Sequence, residues 1–281
     1  MRREAPEEAL ARVIEQALAE DFGDLGDITT NAIVPSGTPM AGTIRSREAG
    51  RVAGVDAVRL VLARLPEPAS ATLVAADGAD VDAGGTIALV AGSARTLLSG
   101  ERVILNILGR LSGIATATAA VVRAVEGTGV AIKDTRKTTP GLRTLEKYAV
   151  AAGGGVNHRS GLYDAVLVKD NHIAVAGSIT AAVTRIRSTL GKTFPIQVEV
   201  DTLAQLEEAL RVEVAAVLLD NMKPAQLRQA VALANRRCHT EASGGITPAN
   251  VRAVAETGVD SISLGWLTHS ARSLDVGLDI A

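Results

Sequence analysis

The chain is predicted to be an α/β protein whose larger part is a parallel α/β barrel, and three observations carry this. Between residues 130 and 265 short apolar runs recur, each ending abruptly in charged or glycine residues. Stretches with helical spacing separate the runs, and apolar runs of this length between helices read as buried parallel strands. Ahead of them, from Met40 to about Gly92, shorter alternating runs punctuated by glycine and proline read instead as a β-rich domain with one or two helices.

The elements follow in order. Residues 7–20 place Leu10, Val13, Ile14, Ala17 and Leu18 on one face of a helix, which Gly23, Asp24, Gly26 and Asp27 then break. Thr43-Ile44-Arg45, Arg51-Val52-Ala53, Ala71 to Ala75 and Thr86 to Val90 are the short strands. The stretch from Asp77 to Gly85 has the look of a cofactor-carrying hairpin, but no lysine stands at its turn, so it reads as structural. Ser99 to Ala119 is a helix apolar almost all round, hence buried. It carries one polar stripe, Arg102, Asn106 and Arg110, at successive steps of four. A buried arginine is costly unless paired, so Arg102 must meet an anion, from the protein or from a ligand.

The barrel strands are then Val130 to Ile132, Ala165 to Val168, Ile196 to Val198, Ala215 to Leu219, His239 to Ala242 and Ser261 to Leu264. Helices fit between them at Ile179 to Leu190, Leu203 to Glu213, Ala225 to Ala234 and Pro248 to Thr257. The last opens with Thr247 as N-cap and Pro248 at the first helical position. Six such units suggest a barrel smaller than the usual eight.

Composition narrows the function classes. Of 281 residues, 47% are hydrophobic and 21% charged, an ordinary globular balance. A net charge of −2 gives no general basic surface, so nucleic acid is not an expected partner. The single cysteine, Cys238, excludes an internal disulfide and fits a reducing compartment. The first residues lack the apolar core of a signal peptide, and no apolar run approaches the ~18 residues needed to span a bilayer. The expectation is a soluble, cytoplasmic protein without a membrane partner.

The strand ends carry the chemistry of a parallel barrel. Lys133, Arg136, Lys137, Arg143, Lys147, His158, Arg159 and Lys169 form a cationic set suited to carboxylates and phosphates. Glu199 and Asp220, each ending an apolar run, could hold a magnesium ion through water or face a developing positive charge. Ser243-Gly244-Gly245, with Gly265 ending the next run, could cradle a phosphate at a helix start, although a tight turn explains two glycines equally well. His172 and His269 read as structural or supporting, and His239, at a strand start, as structural. Tyr148 and Trp266 read as core. Together these features describe a pocket for a substrate with several negative charges and a sugar phosphate.

Four blocks are long and irregular enough to compare with known proteins: Lys133-Asp134-Thr135-Arg136-Lys137-Thr138-Thr139-Pro140-Gly141-Leu142-Arg143, then Glu146-Lys147-Tyr148-Ala149-Val150, then Gly153-Gly154-Gly155-Val156-Asn157-His158-Arg159, then Leu167-Val168-Lys169-Asp170-Asn171-His172. They resemble the quinolinate phosphoribosyltransferases. The likeness extends to Gly26-Asp27-Ile28-Thr29-Thr30, Glu101 to Asn106, Ser112 to Thr116, Ser243 to Ile246 and Leu267 to Ser270, so it covers nearly the whole chain. It leaves Glu241-Ala242, just before the Ser-Gly-Gly, as a minor variation.

The resemblance implies an N-terminal α/β sandwich (residues 1–110 plus 267–281) and a C-terminal incomplete, open α/β barrel (residues 111–266) of the type II phosphoribosyltransferase kind. It implies transfer of a phosphoribosyl group from phosphoribosyl pyrophosphate to quinolinate, releasing nicotinate mononucleotide, pyrophosphate and carbon dioxide, with magnesium bound alongside phosphoribosyl pyrophosphate. It implies a homodimer or higher even oligomer with shared sites, in which Arg102 finds its anion in the partner's barrel. Arg102, Thr135, Arg136, Lys137, His158, Arg159 and Lys169 would then bind substrate. Lys137, Lys169, Glu199 and Asp220 would be catalytic, the two acids meeting metal indirectly and binding ribose. Ser243, Gly244, Gly245 and Gly265 would take the 5′-phosphate. Three rivals remain: a phosphoribosyltransferase of the same fold acting on another aromatic acid, or a molybdenum-associated paralogue; a Schiff-base aldolase using Lys169; and a sugar-phosphate sensor without turnover.

Overall fold

The computed structural model describes residues 6–191 and 193–280. Helices α1 (Pro6–Phe22) and α2 (Ile28–Ile33) lead into strands β1 (Pro39–Ser46) and β2 (Gly50–Arg51). Helix α3 (Asp56–Leu62) and strands β3 (Ala69–Leu73), β4 (Asp80–Val81) and β5 (Thr86–Ser93) come next, then the long helix α4 (Ala94–Ala124). They are followed by β6 (Ala131–Lys133), α5 (Arg143–Ala152), β7 (Val166–Val168), α6 (Asp170–Ala176) and α7 (Ile179–Leu190). Strand and helix then alternate: β8 (Ile196–Val200), α8 (Leu203–Arg211), β9 (Ala216–Asp220), α9 (Pro224–Ala234), β10 (His239–Ser243), α10 (Val251–Ala255) and β11 (Ser261–Ser263). Helix α11 (Trp266–His269) and strand β12 (Val276–Ile280) end the chain.

Two compact units result. One takes the chain up to Ala119, Thr138–Gly154 and everything from Leu267; the other takes Ala120–Lys137 and Gly155–Trp266. By contacts, α5 groups with the first unit. The cause is local pairing: Arg110 of α4 donates to Glu146 of α5, and the Tyr148 hydroxyl donates to Asp77. Tyr148 is thus tied by its polar tip rather than sealed in a core.

The first unit holds an antiparallel sheet in the order β12-β1-β5-β3. β12 returns the C-terminal segment to β1, pairing Leu278 with Ile44. Helix α4 sets Leu97, Ile104 and Leu105 toward Ile44, Val90 and Leu278 of that sheet. By length and composition α4 could cross a bilayer, contrary to the reading of the sequence, but most of its apolar stretch is buried inside the protein, as a core helix requires. Asp27 ends the glycine-rich break and N-caps α2, accepting the Thr30 backbone N–H at 2.8 Å. The lysine-free hairpin is structural, Asp80-Val81 pairing with Gly50-Arg51.

The second unit is a parallel sheet of six strands, in the order β6-β11-β10-β9-β8-β7. The two edge strands of this sheet, β6 and β7, form no ladder with each other, and Val156 bridges to β6, its N–H donating to Ile132 at 2.7 Å and its carbonyl accepting from Asp134 at 3.3 Å. The barrel is therefore open on one side.

Each strand turns apolar residues outward. Val198, Val200, Val217, Leu219, Ala242 and Ile262 are fully buried, as are Leu206 of α8, Leu227 of α9 and Val251 of α10. Each such burial contributes about 1.5–3 kcal/mol relative to exposure. Helix α7 begins at Ile179 as the spacing predicts, capped by Ser178. Helix α10 differs: Pro248 to Asn250 form a hydrogen-bonded turn, and regular helix starts only at Val251. The Asn250 side chain draws the turn tight by accepting the Thr247 N–H at 2.8 Å.

Candidate active site

Parallel registers decide which side chains face the barrel interior. Gln197 pairs with Ala216 and Glu199 with Leu218; Glu241 pairs with Leu218 and Ser243 with Asp220; Ser261 pairs with Glu241 and Ser263 with Lys133. Residues in register share a face. The interior is therefore lined by Lys133, Gln197, Glu199, Asp220, His239, Glu241, Ser243, Ser261 and Ser263. Eight-stranded barrels are already just wide enough for side chains to fill. A six-stranded one forces these polar groups onto one another.

At the mouth, Lys169 follows β7 and meets the end of β8, its Nζ lying 2.9 Å from Glu199 Oε2. Asp220, ending β9, has its carboxyl pushed above the usual carboxylate range. Burial is the main cause, with Glu199 and Asp201 adding repulsion and Lys169 and Lys137 opposing it. Lys137, Lys169, Glu199 and Asp220 are thus brought together. Asn221, in the left-handed region at φ 54°, donates to Asp220 Oδ2 at 2.6 Å, and its N–H donates to Ser243 O at 2.8 Å. Glycine at 244 is required twice over. Its φ is +86°, and a Cβ there would lie 2.2 Å from Asn221 Oδ1. Gly245 is also left-handed, at φ +62°, so the chain turns sharply with bare backbone at the end of β10. Gly265 stands just beyond β11, after Leu264, whose N–H donates to Lys133 O.

The segments that follow β6 and Val156 carry two guanidiniums. Burial lowers the proton affinity of Arg159, and Arg136, close enough to repel it, lowers it further against the attraction of Asp164. Two arginines held together in a half-buried recess are what a dianion would relieve. Thr135 turns its hydroxyl to the Lys137 N–H at 3.0 Å, shaping the loop between them.

His158 braces its neighbour. Its Nδ1 accepts the Arg159 N–H at 2.7 Å, and its Nε2 faces Glu241 Oε1 at 3.4 Å. Glu241, fully buried, also accepts from Lys133 Nζ at 2.9 Å. Burial would raise its carboxyl, but His158 and Lys133 outweigh this and bring it down to about 2. The residue set aside as a variation is the anionic centre of the interior. The i to i+2 spacing from Glu241 to Ser243 placed both on one face of the strand and was the available signal.

Arg102 departs from expectation. It lies on α4 in the first unit, exposed rather than buried, and makes no ion pair among the described residues. The stripe it shares with Arg110 is partnered only at Arg110, by the fully buried Glu146. His172 supports α6 by accepting the Lys169 N–H at 2.9 Å, His239 lies 2.8 Å from Ser261 Oγ, and Trp266 donates to Ile246 O.

Comparison with known proteins agrees with this geometry. Residues 27–112 match the family model for the quinolinate phosphoribosyl transferase N-terminal domain, and residues 114–279 match that for its C-terminal domain. A nicotinate-nucleotide pyrophosphorylase (carboxylating) of Mycobacterium leprae is 45% identical over 278 residues, covering 97% of this chain and 98% of its own. A probable enzyme of the same name from Bacillus subtilis is 44% identical, covering 96% and 93%. The crystal structure of the nicotinate-nucleotide pyrophosphorylase of Ehrlichia chaffeensis superposes with a TM-score of 0.93 at 43% identity, over 96% of this chain and 98% of that one. By its two domains, matched end to end, the chain belongs to the quinolinate phosphoribosyltransferase family.

Proposed function

We propose that the chain transfers the phosphoribosyl group of phosphoribosyl pyrophosphate to quinolinate with loss of carbon dioxide, yielding nicotinate mononucleotide and pyrophosphate. The observation that carries this is the Arg136–Arg159 pair, together with the Lys169–Glu199–Asp220 row at the strand ends. Two carboxylates on adjacent ring carbons match two neighbouring guanidiniums, with Lys169 as a third cation. The relatives' printed names point the same way.

The chemistry follows from position. The ring nitrogen of quinolinate forms its bond to the anomeric carbon as the bond to pyrophosphate breaks, leaving with the electron pair. Positive charge builds on the ribose between those events, and Glu199 and Asp220 stabilise it while accepting from ribose hydroxyls. Lys137 holds the leaving pyrophosphate. The 5′-phosphate lies against the backbone N–H groups of Ser243 to Gly245, with Gly265 closing the cradle. The ribosylated ring nitrogen is then cationic, so the adjacent carbon–carbon bond breaks with its electron pair left on the ring carbon, which takes up a proton as carbon dioxide departs. Positioning and electrostatics suffice, without a covalent nucleophile.

Burial, with repulsion from Glu199 and Asp201 added to it, raises Asp220, and an oxygen-rich pair such as Glu199 and Asp220 suits a hard dication. The two acids would hold magnesium through water or substrate oxygens. Once bound, magnesium neutralises charge on the leaving pyrophosphate. A homodimer in which Arg102 of the partner subunit completes each site accounts for an exposed arginine without an ion pair. The free Cys238 fits a reducing, cytoplasmic setting. The aldolase reading has little support, because Lys169 is paired with Glu199 and nearly half exposed, whereas a Schiff-base lysine needs a desolvated pocket.

The test is carbon dioxide release from carboxyl-labelled quinolinate with phosphoribosyl pyrophosphate and magnesium, omitting each in turn. Release that needs all three, matched by nicotinate mononucleotide, is expected. Consumption of another aromatic acid instead would move the substrate and keep the fold.

A further inference from the structure

Glu146 is fully buried and accepts four hydrogen bonds. Arg110 donates to its Oε1 from Nε at 3.2 Å and Nη2 at 2.6 Å, the Thr139 hydroxyl donates to Oε1 at 2.8 Å, and the Thr139 N–H donates to Oε2 at 3.0 Å. Arg110 is itself fixed by the Thr268 and Ala271 carbonyls. One turn earlier on α5, Arg143 Nε donates to the Thr138 hydroxyl at 3.0 Å. The N-terminal turn of α5 thus grips Thr138 and Thr139, which directly follow Arg136 and Lys137. On the upstream side Asp134, also fully buried, accepts the His158 N–H at 2.8 Å.

For stability alone a buried ion pair is no better than apolar residues of similar size. What Glu146 adds is a fixed place for Thr139, an exposed residue with no packing of its own. We propose that the Arg110–Glu146 pair is a positioning device for the cationic loop, holding its downstream end through Thr139 so that Arg136 and Lys137 meet the substrate at a set distance. Misplacement of about 1 Å in a bound constellation is enough to cost orders of magnitude in rate. The inference rests on the reading of Arg136 as a quinolinate-binding group.

Removing Glu146 would strand Arg110 and endanger the fold, so the test is made at Thr139, where Thr139→Val deletes only the hydroxyl contact. Quinolinate affinity by calorimetry, KM, kcat and the thermal midpoint are measured for Thr139→Val, Thr139→Ser, Arg136→Ala and the Thr139→Val/Arg136→Ala double variant. Loss of one such hydrogen bond predicts a Kd about five- to tenfold higher for Thr139→Val, with the midpoint lower by only a few degrees. Thr139→Ser should restore the affinity, and the double variant should bind no worse than Arg136→Ala alone, because a positioning effect vanishes with the group positioned. Wild-type affinity in Thr139→Val, or penalties that simply add in the double variant, would overturn the proposal. Wild-type affinity in Arg136→Ala would instead overturn the substrate reading beneath it.

Discussion

Replacing Glu241 by Gln keeps the volume of the side chain and removes the one charge that Lys133 and His158 share. The wild-type carboxyl falls from 4.5 to about 2 on folding, even though burial alone would raise it. At about 1.4 kcal/mol for each pH unit, that fall corresponds to about 3 kcal/mol of stability at neutral pH. The sign follows from the direction. A carboxyl depressed in the folded state contributes fully above its unfolded value near 4.5, and the contribution drains away as pH falls toward 2. Glu241→Gln should therefore unfold at a lower urea concentration than wild type at pH 7, by an amount equivalent to about 3 kcal/mol. The difference should shrink through pH 4 and 3.

Urea unfolding curves at a series of pH values, run on both proteins, read this directly. Asp27 and Asp260 are depressed too, but both proteins carry them, so their share cancels in the comparison. A gap that stays constant from pH 7 to pH 3 would refute the electrostatic account and leave only packing. No gap at pH 7 would refute the claim that Glu241 anchors the interior.

Other substitutions separate the parts of the site. Arg136→Ala or Arg159→Ala should weaken quinolinate binding by about 2–5 kcal/mol in calorimetry, the scale for truncating one partner of a buried charge pair; a change below about 1 kcal/mol would remove that residue from the site. Asp220→Ala should lower kcat while quinolinate affinity holds, and an unchanged rate would end its assigned role. Gly244→Ala drives a methyl into Asn221 at a left-handed φ, so stability should fall by about 1–3 kcal/mol and phosphoribosyl pyrophosphate binding should weaken. Wild-type melting and binding would show that the cradle lies elsewhere.

The strands were legible because each carries an outward apolar face that a helix must cover. All six barrel strands lie within two residues of where the runs place them, and Ile179 to Leu190 is helical throughout. The start of α10 was harder, since a proline-led turn and a proline-led helix share their first residues. Partnerships were not legible. Lys133 meets Glu241 only because β6 lies beside β11 and β11 beside β10, an order that chain sequence does not reveal. Arg110 could be singled out as polar on an apolar helix, but its partner Glu146 sits on an element assigned to the other unit. His158 was identified as a functional cation from its neighbours, while its ring orientation depended on the N–H of Arg159 and on a carboxylate far away in sequence.

One alternation accounts for both the fold and the chemistry. In Ile196-Gln197-Val198-Glu199-Val200 every second residue is buried against helices, and the residues between them face inward. Leu167 and Leu218 share that inward face with the polar groups, so whatever polar group faces inward must satisfy itself in a confined volume. Low in the barrel the groups are balanced: Glu241 takes Lys133 and faces His158. Toward the strand ends the balance fails. Asp220 is held above its ordinary range by burial first and by Glu199 and Asp201 after it, and Arg159 is lowered by burial first and by Arg136 after it. These imbalances are of opposite sign. The first favours a group that gains positive charge, and the second favours a dianion. A reaction that builds positive charge on a ribose and takes a dicarboxylate as its other substrate relieves both. The imbalance the protein carries unliganded therefore matches, in sign, the charge of the reaction proposed for it.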